Sequence, residues 1–281
     1  MPARNEELCL GLSLRVALRW CDEAVVLDHA STDETPAILA TVGAENPGRV
    51  TVLTETDGTW REMEHRQRLL DAARARGATH IAIVDADEVL TGNLVDHVRD
   101  HIGALAAGRF LRARMLAMWR AHDQYRADGS VWSNREDLAL AFPDWPQLSW
   151  HSDNGYDHHH RAPYGLHPLG LFLPAGGGVM HLQFASWRRL VAKHALYKMQ
   201  ERLRWPAKSV PFIDALYSQA LDETRLGTRA VQPGWWKPYR DLLPHLKLDH
   251  EPWQEAECRR LWADHGAATF AGLNLYGVAN G

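Results

Sequence analysis

Thr79-His-Ile-Ala-Ile-Val84 runs straight into Asp85-Ala-Asp87-Glu88, and these ten residues decide the fold. An unbroken apolar run with no alternation predicts a short strand buried on both faces. Three carboxylates at its end cannot belong to that core. The pattern has a counterpart upstream, where Glu23-Ala-Val-Val-Leu27 ends at Asp28. In open α/β sheets ligands bind outside the carboxyl ends of the strands, so both acid clusters stand where a site is expected.

Working outward, residues 8–20 have helical apolar spacing. A helix over 33–42 opens with Pro36 at an early position, and Asp33 reads as its cap. Residues 49–54 form the next strand after the Asn46-Pro-Gly48 turn, and 61–76 form a helix ending at Gly77. Thr91 is the expected cap of a helix over 92–102, and 109–119 is a further strand. Strand and helix alternating in this way predict an α/β fold with a mostly parallel sheet flanked by helices. Residues 132–174 are rich in Trp, His, Pro, Asp and Gly with no sustained period, so they are expected to be a substrate-binding insertion. Gly176-Gly-Gly178 leads to a short strand over 179–184. Ser186 caps a long helix to residue 204, and helical stretches near 209–223 and 251–265 follow. Trp235 and Trp236 are expected to seal the C-terminal part against the core. The division expected is a core over 1–120, an acceptor-binding and catalytic region over 121–185, and a helical extension over 186–281.

Composition narrows the function. Among 281 residues, 31 Lys and Arg stand against 35 Asp and Glu, a net charge of −4. That excludes a whole-surface nucleic-acid footprint while leaving room for a local basic groove. Cys9, Cys21 and Cys258 are scattered and odd in number, which fits a reducing compartment and not a zinc finger or disulfide framework. The most apolar N-terminal stretch, 8–18, is short and contains Arg15, so neither a signal peptide nor a membrane span is expected. The chain is read as soluble and cytoplasmic.

Asp85 and Asp87, one residue apart at a strand end, can converge on an oxygen-seeking cation such as Mg²⁺ or Mn²⁺. The competing reading is a solvated acidic turn. Asp28 can accept hydrogen bonds from a base or ribose, and Ser31 can add another. Arg66 is either a phosphate-binding fork or a solvated helix cation. His158-His-His160, with His151 and His167 nearby, cannot all face one ion from a regular element, so an acceptor-site or surface loop is preferred to a zinc site. The basic side chains Arg188, Arg189, Lys193, Lys198, Arg202 and Arg204 could flank a diphosphate or an anionic acceptor, but one by one they read as a solvated helix face.

Arg4-Asn-Glu-Glu7, then VVLDHASTDET over 25–35, then IAIVDADE over 81–88, together resemble the family 2 glycosyltransferases of GT-A fold. The likeness covers roughly residues 1–120. It implies transfer of a sugar from a nucleotide-diphospho-sugar, a UDP-sugar first, with inversion at the anomeric carbon. Carried over, Ala3, Arg4, Glu6 and Asp28 hold base and ribose, with Ser31, Asp85 and Ala86 beside them and Arg66 toward the diphosphate. Asp85 and Asp87 hold Mn²⁺ or Mg²⁺. His181 resembles the histidine that completes the metal shell, the competing reading being a core histidine. The family's general base is an acidic residue after the core strands. Asp137, with Glu136 before it, is the nearest candidate, and Asp153 and Asp157 are rivals. One departure is that only Met1-Pro-Ala3 precede Arg4, so the first strand is expected to be very short or its start truncated. The acceptor is left open: a glycan, a lipid-linked sugar, a small molecule or a modified nucleic-acid base. The rival classes are a nucleotidyltransferase, for which no Gly-rich basic phosphate loop is visible, and a non-catalytic sugar-nucleotide or glycan-binding module.

Overall fold

The computed structural model describes residues 1–130, 133, 137–150, 161–174 and 176–279. In chain order the elements are β1 (Pro2–Ala3), α1 (Leu10–Trp20), β2 (Ala24–His29), α2 (Thr35–Glu45), β3 (Val50–Glu55), α3 (Glu62–Ala75), β4 (His80–Ala82), β5 (Glu88–Leu90), α4 (Val98–Gly103), β6 (Leu111–Ala113) and β7 (Met115–Ala117). There follow β8 (Gln124–Arg126), β9 (Leu138–Pro143), β10 (Leu171–Phe172), β11 (Val179–His181), α5 (Trp187–Arg204), α6 (Val210–Ser218), β12 (Thr228–Ala230), α7 (Pro233–Trp236) and α8 (Trp253–His265). The chain divides into two compact units. One comprises residues 1–116, 134–181 and 231–247, and the other 117–133, 182–230 and 248–281.

The first unit is the α/β body. β1, β2 and β3 form a parallel sheet, with Ala3 opposite Asp28 and β2 paired to β3 along its whole length. A second sheet runs β10-β6-β9-β4, in which β9 is antiparallel to both neighbours. β9 is the apolar LALAFP segment inside the stretch expected to be irregular. It is buried from Ala139 onward, so burial of both faces, and not period, explains its strand. Leu10, Leu14 and Leu18 share one face of α1 and pack with Val26, Leu39, Val42, Ala3 and Ala86. One apolar helix face thus gathers the ends of two strands. On α3, Met63 and Leu70 face Ile83 and Phe142 in the core. Arg66, at i+3 from Met63, lies on that same inward face and is buried.

Three boundaries differ from the sequence reading. Thr91 caps no long helix: a 3₁₀ turn, Gly92–Leu94, comes first and α4 is only Val98–Gly103. The Thr91 hydroxyl instead accepts the Gly178 N–H at 3.0 Å. The strand over 109–119 is two short strands in separate sheets. The strand over 179–184 stops at His181 and turns into a 3₁₀ helix, Leu182–Phe184.

The glycine run before β11 has a steric cause. A Cβ on Gly178 would lie 2.3 Å from the Arg114 carbonyl oxygen, and one on Gly177 would lie 2.3 Å from Thr91 Oγ1. Gly178→Ala is therefore expected to destabilise the protein by about 2 kcal/mol, within the usual range for overpacking. Urea unfolding checks this, and an unchanged midpoint would show that the strand can move aside.

The second unit packs α5 against α6 and α8, and pairs β12 antiparallel to β8. Here the expectation of a solvated basic face fails for two side chains. Arg189 and Lys198 are buried. Lys198 Nζ meets Asp214 at 2.9 Å and donates to Ser218, the Asn274 carbonyl and Tyr276, so its buried charge is fully partnered. Trp235 and Trp236 are buried in the first unit, where Trp235 Nε1 donates to the Gly176 carbonyl at 2.9 Å. No helix among the described residues is long and apolar enough to cross a membrane.

Candidate active site

Two loops at the carboxyl ends of β1 and β2 are laced together. The Asn5 N–H donates to Ser31 Oγ at 3.0 Å, and Asn5 Oδ1 accepts the Thr32 N–H at 2.7 Å. The Glu6 N–H donates to Thr35 Oγ1, and the Glu7 N–H to Asp33 Oδ2. Asp33 also accepts the Thr35 N–H at 2.9 Å, a bond within the loop ahead of α2, whose N-cap is Glu34 and not Asp33 as the sequence suggests. Asn5 holds a left-handed backbone with φ 52° and Ala30 one with φ 50°, the strain typical of sites over-determined by their surroundings. Asp28 is buried and accepts the Ser31 N–H at 3.3 Å. Arg4 donates to the Gly58 carbonyl at 2.6 Å. Beside them His29, Trp60 and His65 form a ring cluster, with His29 and His65 buried and Trp60 39% exposed. Burial, and then the Arg4 charge, lower the His29 pKa, which keeps that ring neutral near pH 7.

The second cluster is the turn that follows β4. The Glu88 N–H donates to the Asp85 carbonyl at 3.0 Å, and the Asp85 N–H donates to Glu88 Oε2 at 2.9 Å. The Ala86 carbonyl accepts from Ser13 of α1 at 2.5 Å. Asp85 lies between two guanidiniums, Arg66 at 3.4 Å on one oxygen and Arg161 at 2.9 Å on the other. Burial alone would raise the Asp85 pKa, but Arg161 and Arg66 hold it below the usual carboxylate value. Arg66 is itself held by Glu62 at 2.9 Å. Asp87 points elsewhere: its Oδ2 is 3.3 Å from His181 Nε2. His181 belongs to β11, directly opposite Glu88 in antiparallel register, so strand pairing places the imidazole beside the turn.

The structure thus brings Arg66, Asp85, Ala86, Asp87 and His181 together. Ala3 and Asp28, opposite each other in β1 and β2, lead into the loops that carry Arg4, Glu6 and Ser31, and are joined to the turn through the α1 cluster that contains both Ala3 and Ala86. Asp137 is exposed at the start of β9. β9 runs antiparallel to β4, with Ala82 opposite Ala141, so it begins at the sheet end where β4 delivers the turn. Glu136, Asp153, Asp157, His151 and His158–His160 lie outside the described residues. Arg161 and Glu88 were not singled out by the sequence. Glu88 was quoted only as part of an acid cluster, and Arg161 is a lone cation in a stretch without period.

Among the described residues no three His, Cys, Asp or Glu side chains converge as a complete ligand set. The donor chemistry still fits a divalent ion. Among the described residues Glu62, Asp85, Asp87 and Glu88 gather around Arg66, Arg161 and His181, a set rich in carboxylate oxygen donors. Mg²⁺ and Mn²⁺ commonly take one or two protein groups and fill the remaining positions with substrate phosphates and water. Nucleophilic cysteine chemistry is a poor fit, because burial pushes the thiols of Cys21 and Cys258 up to about 12.

The model of the family described as Glycosyl transferase family 2 matches residues 1–138. A crystal structure of S. aureus TarS, residues 1–349, aligns over 99% of this chain and 79% of that one, at 11% identity and a TM-score of 0.37. Another S. aureus TarS crystal structure aligns over 99% of this chain and 51% of that one, at 13% identity and a TM-score of 0.39. A search of curated protein sequences finds no match.

Proposed function

We propose that this chain, whose residues 1–138 match the model of glycosyl transferase family 2, is a glycosyltransferase, an inverting and metal-dependent one that uses a nucleotide-diphospho-sugar, a UDP-sugar first. The observation that carries this reading is the Asp85–Glu88 turn at a strand end, with Arg66, Arg161 and His181 converging on it. Acids with no cation partner would suit only a metal. Acids interleaved with buried arginines suit a metal together with an anionic leaving group.

Asp28 and the segment over residues 3–6 hold the nucleoside, with Ser31 fixing that segment from the far side. Arg66 faces the diphosphate. Asp87 and His181 would hold a Mn²⁺ or Mg²⁺ ion, with Asp85 beside it, and the ion would neutralise charge on the departing diphosphate. Asp137 takes the proton of the acceptor hydroxyl as that oxygen forms its bond to the anomeric carbon. The bond from that carbon to the diphosphate oxygen breaks on the opposite face, and the nucleoside diphosphate leaves with the electron pair. The acceptor region is the segment after β9, and a glycan is the acceptor class we place first. We place the chain in a reducing, cytoplasmic setting, which three scattered cysteines without a pairing pattern suit.

The test is a thermal-shift screen of nucleotide sugars with and without Mn²⁺, followed by donor hydrolysis. Ligands that bind only the folded state raise its stability. A shift for UDP-sugars that needs Mn²⁺, followed by release of UDP, supports the reading. Binding without turnover supports a non-catalytic module instead. Asp28→Ala is expected to raise the donor KM about 10-fold or more with a smaller change in kcat. Contacts to base and ribose are equal in ground and transition states, and a hydrogen bond to a charged group contributes about 1.5–3 kcal/mol. Initial rates against donor concentration check this, and an unchanged KM places Asp28 outside the donor site.

A further inference from the structure

Arg161 is the most heavily bonded side chain near the acid turn, and nothing above explains it. Its Nη1 lies 2.9 Å from Asp85 Oδ2 and 2.7 Å from Glu88 Oε1, and its Nη2 lies 2.5 Å from Glu88 Oε2. The same guanidinium donates from Nη2 to the Ile83 carbonyl at 2.8 Å and from Nε to the Ala139 carbonyl at 2.8 Å. One planar fork therefore holds both carboxylates that flank Asp87, the chain just before the turn, and β9. The side chain is only 15% exposed. A lysine could not reproduce this set, because it offers a point charge in place of five fixed donors.

We propose that Arg161 is a positioning residue for the cation site: by holding Asp85 and Glu88 and fixing the turn between them, it sets where Asp87, opposite His181, stands toward the metal. This rests on the functional reading above and divides the labour between the two aspartates of the DxD motif. Asp85 aligns the arginines, and Asp87 meets the ion. The arrangement has a second consequence. Arg161 joins the chain just after β4 to β9, so the placement of Asp87 is tied to the strand that follows Asp137, and the donor and acceptor sides share one clamp. Outer partners of metal ligands typically contribute 10–100-fold in metal affinity.

The experiment measures Mn²⁺ binding to the full chain by the EPR signal of free Mn²⁺, with and without UDP, alongside melting temperature and steady-state kinetics. Arg161→Lys is expected to weaken Mn²⁺ binding 10–100-fold. Raised Mn²⁺ should restore most of kcat, which a general loss of structure would not allow. Glu88→Gln, which keeps the side-chain volume and breaks the same fork, should weaken Mn²⁺ binding in the same direction, so the proposal stays testable if Arg161→Lys does not fold. Equal Mn²⁺ affinity in wild type and Arg161→Lys overturns the proposal whatever UDP does. An Arg161-dependent Mn²⁺ site on a protein that binds no UDP upholds the proposal and sinks the donor reading. No Mn²⁺ binding by the wild type overturns both.

Discussion

Asp87→Asn is expected to lower kcat by on the order of 10²–10³-fold and to remove the dependence of nucleotide binding on Mn²⁺. The magnitude is that of losing one preorganised group aimed at charge that develops in the transition state. Asparagine keeps the shape and one oxygen, so the turn should stay folded. The Asp85–Glu88 turn is closed by the two backbone N–H groups and held by Arg161. What the substitution takes away is the charge that faces His181 Nε2 at 3.3 Å. UDP binding should be read by calorimetry at zero and saturating Mn²⁺. Wild type should differ between the two conditions, and the variant should not. A variant that keeps normal Mn²⁺-stimulated turnover would move the metal away from Asp87. Asp85→Asn is a useful contrast, because Asp85 lies between Arg66 and Arg161. Its loss should disturb donor affinity as well as metal response.

Much of this arrangement is legible in the residues because a few strong signals coincide. Apolar stretches with no alternation, at 23–27 and 79–84, lead into carboxylates, and strand-end carboxylates mark the ligand side of such sheets, although β4 is exposed at His80 and only half-buried beyond it, not buried on both faces. The observed β4 falls inside the second stretch, while β2 runs on to His29 and carries Asp28 within its carboxyl end. Proline and glycine punctuation set the helix ends near Thr35 and Ala75. What the sequence hides is long-range competition for hydrogen bonds. Thr91 reads as a cap, but its hydroxyl is taken by Gly178, 87 residues away. Lys198 reads as a solvated cation, but Ser218, Asn274 and Tyr276 pair with it from far along the chain. Arg66 alone suits either a phosphate contact or a solvated cation, and the helix face it shares with Met63 and Leu70 turns it inward. Arg161 gave no local signal, because it is defined by partners at residues 83, 85, 88 and 139.

Asp137→Asn is expected to lower kcat by ~10²–10⁴-fold, the usual contribution of a general base, with little change in nucleotide affinity. The argument for this residue is positional. β9 is antiparallel to β4, so its first residues lie at the end of the sheet where the acid turn emerges. Asp137 is exposed at that point, whereas Ala139 and Leu140, next along the strand, are buried. The Ala139 carbonyl is held by Arg161, the same side chain that holds Asp85, so the backbone two residues from Asp137 is anchored to the donor turn. A base working from this position removes the proton only from an acceptor that is already bound. Its loss should therefore spare donor binding and slow donor hydrolysis by water less than transfer to a hydroxyl. That split separates a base from a residue that merely supports the strand, whose loss would lower both rates and the melting temperature together. Single-turnover transfer and donor hydrolysis, measured side by side, test it. Near-normal transfer in Asp137→Asn, with collapse in Asp153→Asn or Asp157→Asn, would move the base further along the same segment. Collapse in none of the three would remove the carboxylate base from this region and leave the acceptor hydroxyl to be activated from elsewhere.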